Sequence, residues 1–159
     1  MFQKSEMKFL NALPPLMQES EQPELAIEGF GINKLLLILH RTPKEFDEAQ
    51  NIAVASIKSL YSNPNFRPGI LSYCSAYELA QEQFSDFRNN ERNMKICACW
   101  YIDMLDGIVM QQQKFVASII SHCVLNKKPG VITTTIPPNQ WTNTFDKVML
   151  IYMLKGYQA

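Results

Sequence analysis

Proline punctuation constrains this chain more than any other feature. Pro14-Pro15, Pro23, Pro43, Pro64, Pro68-Gly69, Pro129-Gly130 and Pro137-Pro138, together with Gly29 and Gly31, cut the 159 residues into segments. A proline has a fixed φ and no N–H to donate, so regular elements start or stop at these sites instead of running through them. The apolar stretches between the breaks then decide the fold class.

Read in order, those stretches follow helical spacing. Residues 3–13 carry Met7, Leu10 and Leu13 on one side of a short helix, and Pro23 opens one or two turns over 23–28. Leu35 to Leu39 is an unbroken apolar run in which periodicity cannot separate strand from helix. Asn33-Lys34 before it and a helix directly after it tip the reading to helix. Thr42-Pro43-Lys44-Glu45 forms a capping signal: Thr42 as cap, Pro43 in the first helical position, Glu45 reaching back. The helix it opens should run to Tyr61, with Phe46, Ala49, Ala53, Ile57 and Leu60 along one face.

A second helix is expected over 69–88, with Glu78, Glu82 and Asp86 as a solvated acidic row. Residues 91–125 read as one helix, about 52 Å long at 1.5 Å per residue. A globule of this size is roughly 40 Å across, so a kink is expected near Asp106-Gly107. Val131 to Ile136 is β-branched and extended, with no evident strand partner. A last helix over 140–154 would turn Phe145, Val148, Met149 and Tyr152 inward. The expected architecture is therefore all-α. It is a single domain over residues 1–159, a bundle of five or six helices with one long central helix and a short extended segment near 131–136.

Composition narrows the function classes. Hydrophobic residues make up 47% and charged residues 19%, with fifteen cations against fifteen anions. That excludes a disordered charged tail, and the missing basic excess argues against a general nucleic-acid binder. The first residues lack the apolar run of a secretory leader. Asp103 and Asp106 interrupt the most apolar window, so no membrane span is expected. Cys74, Cys97, Cys99 and Cys123 all fall in apolar stretches and read as reduced, buried thiols of a cytoplasmic protein.

Candidate chemistry is sparse, and the balance leans away from an enzyme. There are two histidines, His40 and His122, both read as packing residues. The chain has no G-x-S-x-G elbow, no phosphate-binding glycine loop, no H-E-x-x-H and no paired C-x-x-C. No catalytic residue and no cofactor is assigned. Asp103 and Asp106, three apart on the expected helix, form a candidate metal or acid–base pair, against the alternative of a solvent-facing stripe. Arg88, Arg92 and Lys95 make the one locally basic patch.

Interface chemistry carries the leading reading. Val131, Ile132 and Ile136 would lie in an extended segment open to strand addition, with Trp141 as anchor and Phe66 as a further contact. The chain is read as a small helical protein-binding module: an adaptor, assembly factor, chaperone-like partner or inhibitor of another protein. Its partner is another protein or a second copy of itself. The alternative is a helical enzyme with an acidic site at Asp103 and Asp106, and the third reading is nucleic-acid contact through Arg88, Arg92 and Lys95.

Overall fold

In the computed structural model, which describes residues 22–41, 45–106, 113–137 and 148–155, the run Leu35–Leu39 is a β-strand, β1. All five side chains are at most 1% exposed. Leu35 and Leu37 enter one apolar cluster, and Leu36 and Ile38 enter another on the opposite face. A strand covered on both faces has no polar side with which to alternate, so it reads as a continuous apolar run. That is the physical reason the helical reading of this segment fails.

Four more strands join it: β2 (Leu71–Ser75), β3 (Cys99–Leu105), β4 (Gly130–Thr134) and β5 (Met149–Met153). They form one sheet in the order β2-β3-β4-β1-β5, and every pairing is parallel. The helices are α1 (Phe46–Tyr61), α2 (Ala76–Gln81), α3 (Asn89–Ile96) and α4 (Gln113–Leu125), with 3-10 turns at Pro23–Leu25 and Glu82–Phe84. Ala49, Ala53, Ile57 and Leu60 of α1 pack on one face of the sheet. Leu79 of α2, Met94 of α3, and Val116 and Ile120 of α4 pack on the other. The molecule is α/β, and the all-α bundle is overturned.

Each misread segment has its own cause. The expected helix over 69–88 is a strand followed at once by a helix. Ser75 closes β2 and caps α2: its hydroxyl accepts from Glu78 N–H at 3.1 Å, and Glu78 Oε1 accepts from Ser75 N–H at 3.2 Å. Glu82 of the acidic row is buried, accepting from the N–H groups of Asn90 and Glu91 (2.8 and 2.9 Å) at the start of α3. The long helix over 91–125 is a helix, a strand and a second helix, because β3 is buried on both faces and hides inside the apolar run. The last expected helix contains β5. The capping signal is off by a few residues: α1 begins at Phe46, and Glu45 Oε1 accepts from Arg41 N–H at 2.8 Å. Thr42 lies outside the described residues, while the expected end at Tyr61 matches.

Close packing within the sheet fixes one glycine. A Cβ on Gly130 would stand 1.9 Å from Trp100 Cε2, because the indole of β3 lies flat against the neighbouring strand, and its Nε1 donates to Lys128 O at 3.3 Å. All four cysteines are buried free thiols. Burial pushes the Cys97 thiol up to about 11, partly countered by Lys128, and burial with Cys97 nearby pushes Cys123 up to about 12.

Two outcomes follow for stability. Leu37→Ala should cost about 3 kcal/mol or more by urea denaturation, while Ile151→Ala on the edge strand, 43% exposed in the native residue, should cost about 1 kcal/mol or less. The raised thiols hold their protons in the folded state and release them near pH 9 when unfolded. Stability should therefore be level below pH 9 and fall from there toward pH 12. Thiol titration with a disulfide reagent at pH 8 should be slow until denaturant is added.

Candidate functional site

Parallel strands in an open sheet end along one edge, and ligands of such folds bind outside the carboxyl ends where the strand order reverses. Here β1 is that strand, with β4 on one side and β5 on the other. The residues brought to this edge are His40 and Arg41 after β1, Ser75 at the end of β2, Asp103 near the end of β3, and Thr133 and Thr134 on β4.

Asp103 is the centre of the edge. It is 1% exposed, and three side chains donate to it. Oδ2 accepts from Tyr73 OH at 2.6 Å and from Gln50 Nε2 at 2.7 Å, and Oδ1 accepts from Thr133 Oγ1 at 3.0 Å. The donors come from β2, α1 and β4, so one carboxylate ties three elements together. An unpaired buried carboxylate would be costly, and charge-assisted bonds of about 1.5–3 kcal/mol each offset that cost. Burial first, and Asp103 second, raise the Tyr73 and Tyr101 phenols well above their ordinary range, so both keep their protons beside the carboxylate. Their rings stand 5.0 Å apart.

The backbone adapts to this arrangement. The β3–β4 register shifts between Ile102 and Leu105, and Met104 sits at φ 60°, a left-handed conformation rare for a side chain of its kind. This bulge directs Met104 N–H onto Thr133 Oγ1 at 2.8 Å, so Thr133 accepts from the backbone while donating to Asp103.

The sequence-derived candidates are scattered across the fold. Asp106 is half-buried just past β3, on no helix with Asp103. Among the described residues, no group of three or more His, Cys, Asp or Glu could hold a metal ion. Val131 and Ile132 are fully buried in β4, which is paired on both sides, so this segment has no open edge for strand addition. Ile136 is buried in the same cluster as Ile132. Phe66 is half-buried, edge-on to Tyr61 at 5.1 Å. Trp141 lies outside the described residues. Arg88 precedes α3 with its guanidinium on the carbonyls of Ser85 and Gln83 and over the Phe115 ring, whereas Arg92 and Lys95 are exposed. His40 is buried beside Phe46, and His122 is exposed.

Gln50, Tyr73 and Thr133 were missed, since nothing in the sequence marks them before the strands are placed. Asp103 was found for another reason. Its telling signal is an apolar run closed by an aspartate, Trp100-Tyr101-Ile102-Asp103, the pattern of a strand that delivers a carboxylate to a sheet edge.

Comparison of folds gives this geometry a context. No family model and no characterised sequence matches the chain. Among solved structures, a DnaC helicase loader superimposes with a TM-score of 0.53 at 14% identity, covering 96% of this chain and 100% of that one. A DNA replication initiation factor gives 0.53 at 13% identity, over 76% of this chain and 41% of that chain. The replication initiator DnaA bound to AMPPCP and single-stranded DNA gives 0.52 at 14%, over 77% and 40%. The chain thus spans about two fifths of the length of the two initiators. It shares the fold of these structures, and this α/β fold overturns the small helical adaptor and the helical enzyme alike.

In P-loop proteins a magnesium nucleotide is held by a G-x-x-x-x-G-K-[ST] loop after the first strand and by an aspartate at the end of another strand. The residues here do not fit it. The stretch after β1 reads His40-Arg41-Thr42-Pro43-Lys44-Glu45, and no glycine occurs between Gly31 and Gly69. Pro43 removes one N–H from any phosphate cradle. Both Asp103 oxygens already accept protein hydrogen bonds. Asp103→Asn should therefore lower stability by about 2–4 kcal/mol, because an amide cannot accept all three donors. Melting curves should show no Mg²⁺-dependent gain in either form; a gain in the wild type that Asp103→Asn removes would restore a metal role.

Proposed function

We propose that this chain works within a replication-initiation assembly as a nucleotide-independent form of the initiator and loader core, acting by binding and not by ATP turnover. The observation that carries the reading is the state of Asp103: the aspartate on the strand where a P-loop enzyme keeps its magnesium-binding carboxylate is closed off by Gln50, Tyr73 and Thr133. The replication setting is supported by the shared fold of the loader and initiator structures. The four buried free thiols suit a reducing cytoplasm, and among the described residues no helix is long and apolar enough to cross a membrane.

A partner surface is supported by the turn between α2 and α3. Phe84 and Phe87 are 74% and 78% exposed, far more than aromatic rings usually are. The turn that carries them is held from within. Ser85 Oγ accepts from Phe87 N–H at 3.0 Å, and Arg88 donates to the Ser85 carbonyl at 3.2 Å and to the Gln83 carbonyl at 3.3 Å. Aromatic anchors on an ordered turn bind with little further loss of entropy, which suits a protein partner at this face.

The purified chain should show no ATP turnover and no melting shift with Mg²⁺-ATP. It should co-sediment with the replication initiator of its own host. Phe84→Ser with Phe87→Ser should weaken that association by about thirtyfold or more, since truncating even one hot-spot aromatic costs about 2 kcal/mol, and leave the melting temperature unchanged. Binding of Mg²⁺-ATP that depends on Asp103 would overturn the nucleotide-independent reading. Unchanged association of the double variant would overturn the partner surface.

A further inference from the structure

We infer that the opposite end of the sheet holds a site for one nucleotide unit, a phosphate with its planar base. A cavity of about 340 Å³ opens at the amino ends of β1, β3 and β4, within the size range of ligand sites, roughly 300–1,000 Å³. Arg67, Lys127 and Lys128 line it together with Phe66, Asn65 and Ile32, and among the described residues no carboxylate does. In a chain with fifteen charges of each sign, three cations meeting at one cavity make a local positive field. The site is separate from Asp103, which lies four residues along β3 from Cys99, about 13 Å at 3.3 Å per residue. It does not rest on the partner reading above.

The lining is built to hold its charge in place. Lys128 Nζ donates to the Cys97 carbonyl at 2.6 Å, which fixes the ammonium and leaves two of its hydrogens for a ligand. Lys127 sits at φ 60° just past α4, with its N–H on the Val124 carbonyl at 3.0 Å and Lys128 N–H on the Cys123 carbonyl at 3.0 Å. Such helix-ending positions normally take glycine or asparagine, so a lysine there holds its charge against a backbone preference. Arg67 supplies a planar fork suited to phosphate oxygens. Phe66, held edge-on by Tyr61 at 5.1 Å, offers with Ile32 an apolar wall for a base. The recognised chemistry is shared by a free mononucleotide and by one unit of a single strand.

The test uses the full chain with fluorescently labelled oligothymidylate and labelled thymidine monophosphate in parallel, each across a salt series, with orthophosphate as competitor. At least one probe should bind. Arg67→Gln with Lys127→Gln, both exposed in the native chain, should weaken binding by about tenfold or more; for the strand it should also lower the salt slope by about 1.4, two contacts at 0.7 each. Phe66→Leu should weaken binding with little change in slope. Arg92→Gln with Lys95→Gln on α3 should leave both unchanged. Tight binding of the strand alone identifies a strand as the source, and equal binding of the monophosphate identifies the free nucleotide. Neither probe binding, orthophosphate competing as well as the monophosphate, or equal losses in the α3 variant would overturn the inference.

Discussion

Burial of β1 on both faces is the constraint from which the rest of the structure follows. Five consecutive side chains at 1% exposure or less need apolar cover above and below, worth about 1.5–3 kcal/mol for each large side chain. Helix α1 supplies it on one face, and α2, α3 and α4 supply it for the sheet on the other. Helices on both faces require crossover connections, and crossovers make neighbouring strands parallel. Parallel strands in turn bring their carboxyl ends to one edge, so residues far apart in sequence, such as Gln50 and Asp103, meet there.

The meeting at Asp103 shows how a polar edge can be stabilised from within. A buried carboxylate requires compensation from a cation, a metal ion or several donors. Here a phenol, an amide and a hydroxyl share the task, and the bulge at Met104 adds a backbone N–H to the second layer. The bonds reach from α1 to β2 and β4, so the network also fixes the spacing of the strand ends. The same position can therefore be structural in one chain and catalytic in another with the same fold, and only the partners of the carboxylate distinguish the two.

Legibility in the sequence followed the degree of burial. Helix α1 has a polar side, and its end at Tyr61 and inner face at Ala49, Ala53, Ile57 and Leu60 were readable from spacing. Strands β1 and β3 have no polar side, and their apolar runs were absorbed into helices. The extended character of 131–136 was readable from its β-branched residues, but its place between β3 and β1 was not, because pairing joins residues about 30 and 95 apart in the chain. One local signal was overlooked: Ser75-Ala76-Tyr77-Glu78 is a capping box that marks the end of β2 and the start of α2. Asp103 was singled out as one of an acidic pair, yet its partners proved to be Tyr73, Gln50 and Thr133 and not Asp106.

The two ends of the sheet differ in a way that bears on what the fold can still do. At the carboxyl ends, Asp103 is sealed at 1% exposure and satisfied by Tyr73, Gln50 and Thr133. At the amino ends, Arg67 and Lys127 remain exposed, and Lys128 is fixed by a backbone carbonyl, with no carboxylate on it among the described residues. Satisfied groups hold a fold together, whereas charged groups facing a cavity without counter-charges are free to recognise an anion. The scaffold does not depend on a glycine loop after β1, because the sheet is held by its two apolar faces and by the Asp103 network. What remains for recognition lies on the turns: the aromatic pair Phe84 and Phe87 at one, and the cations around Phe66 at another.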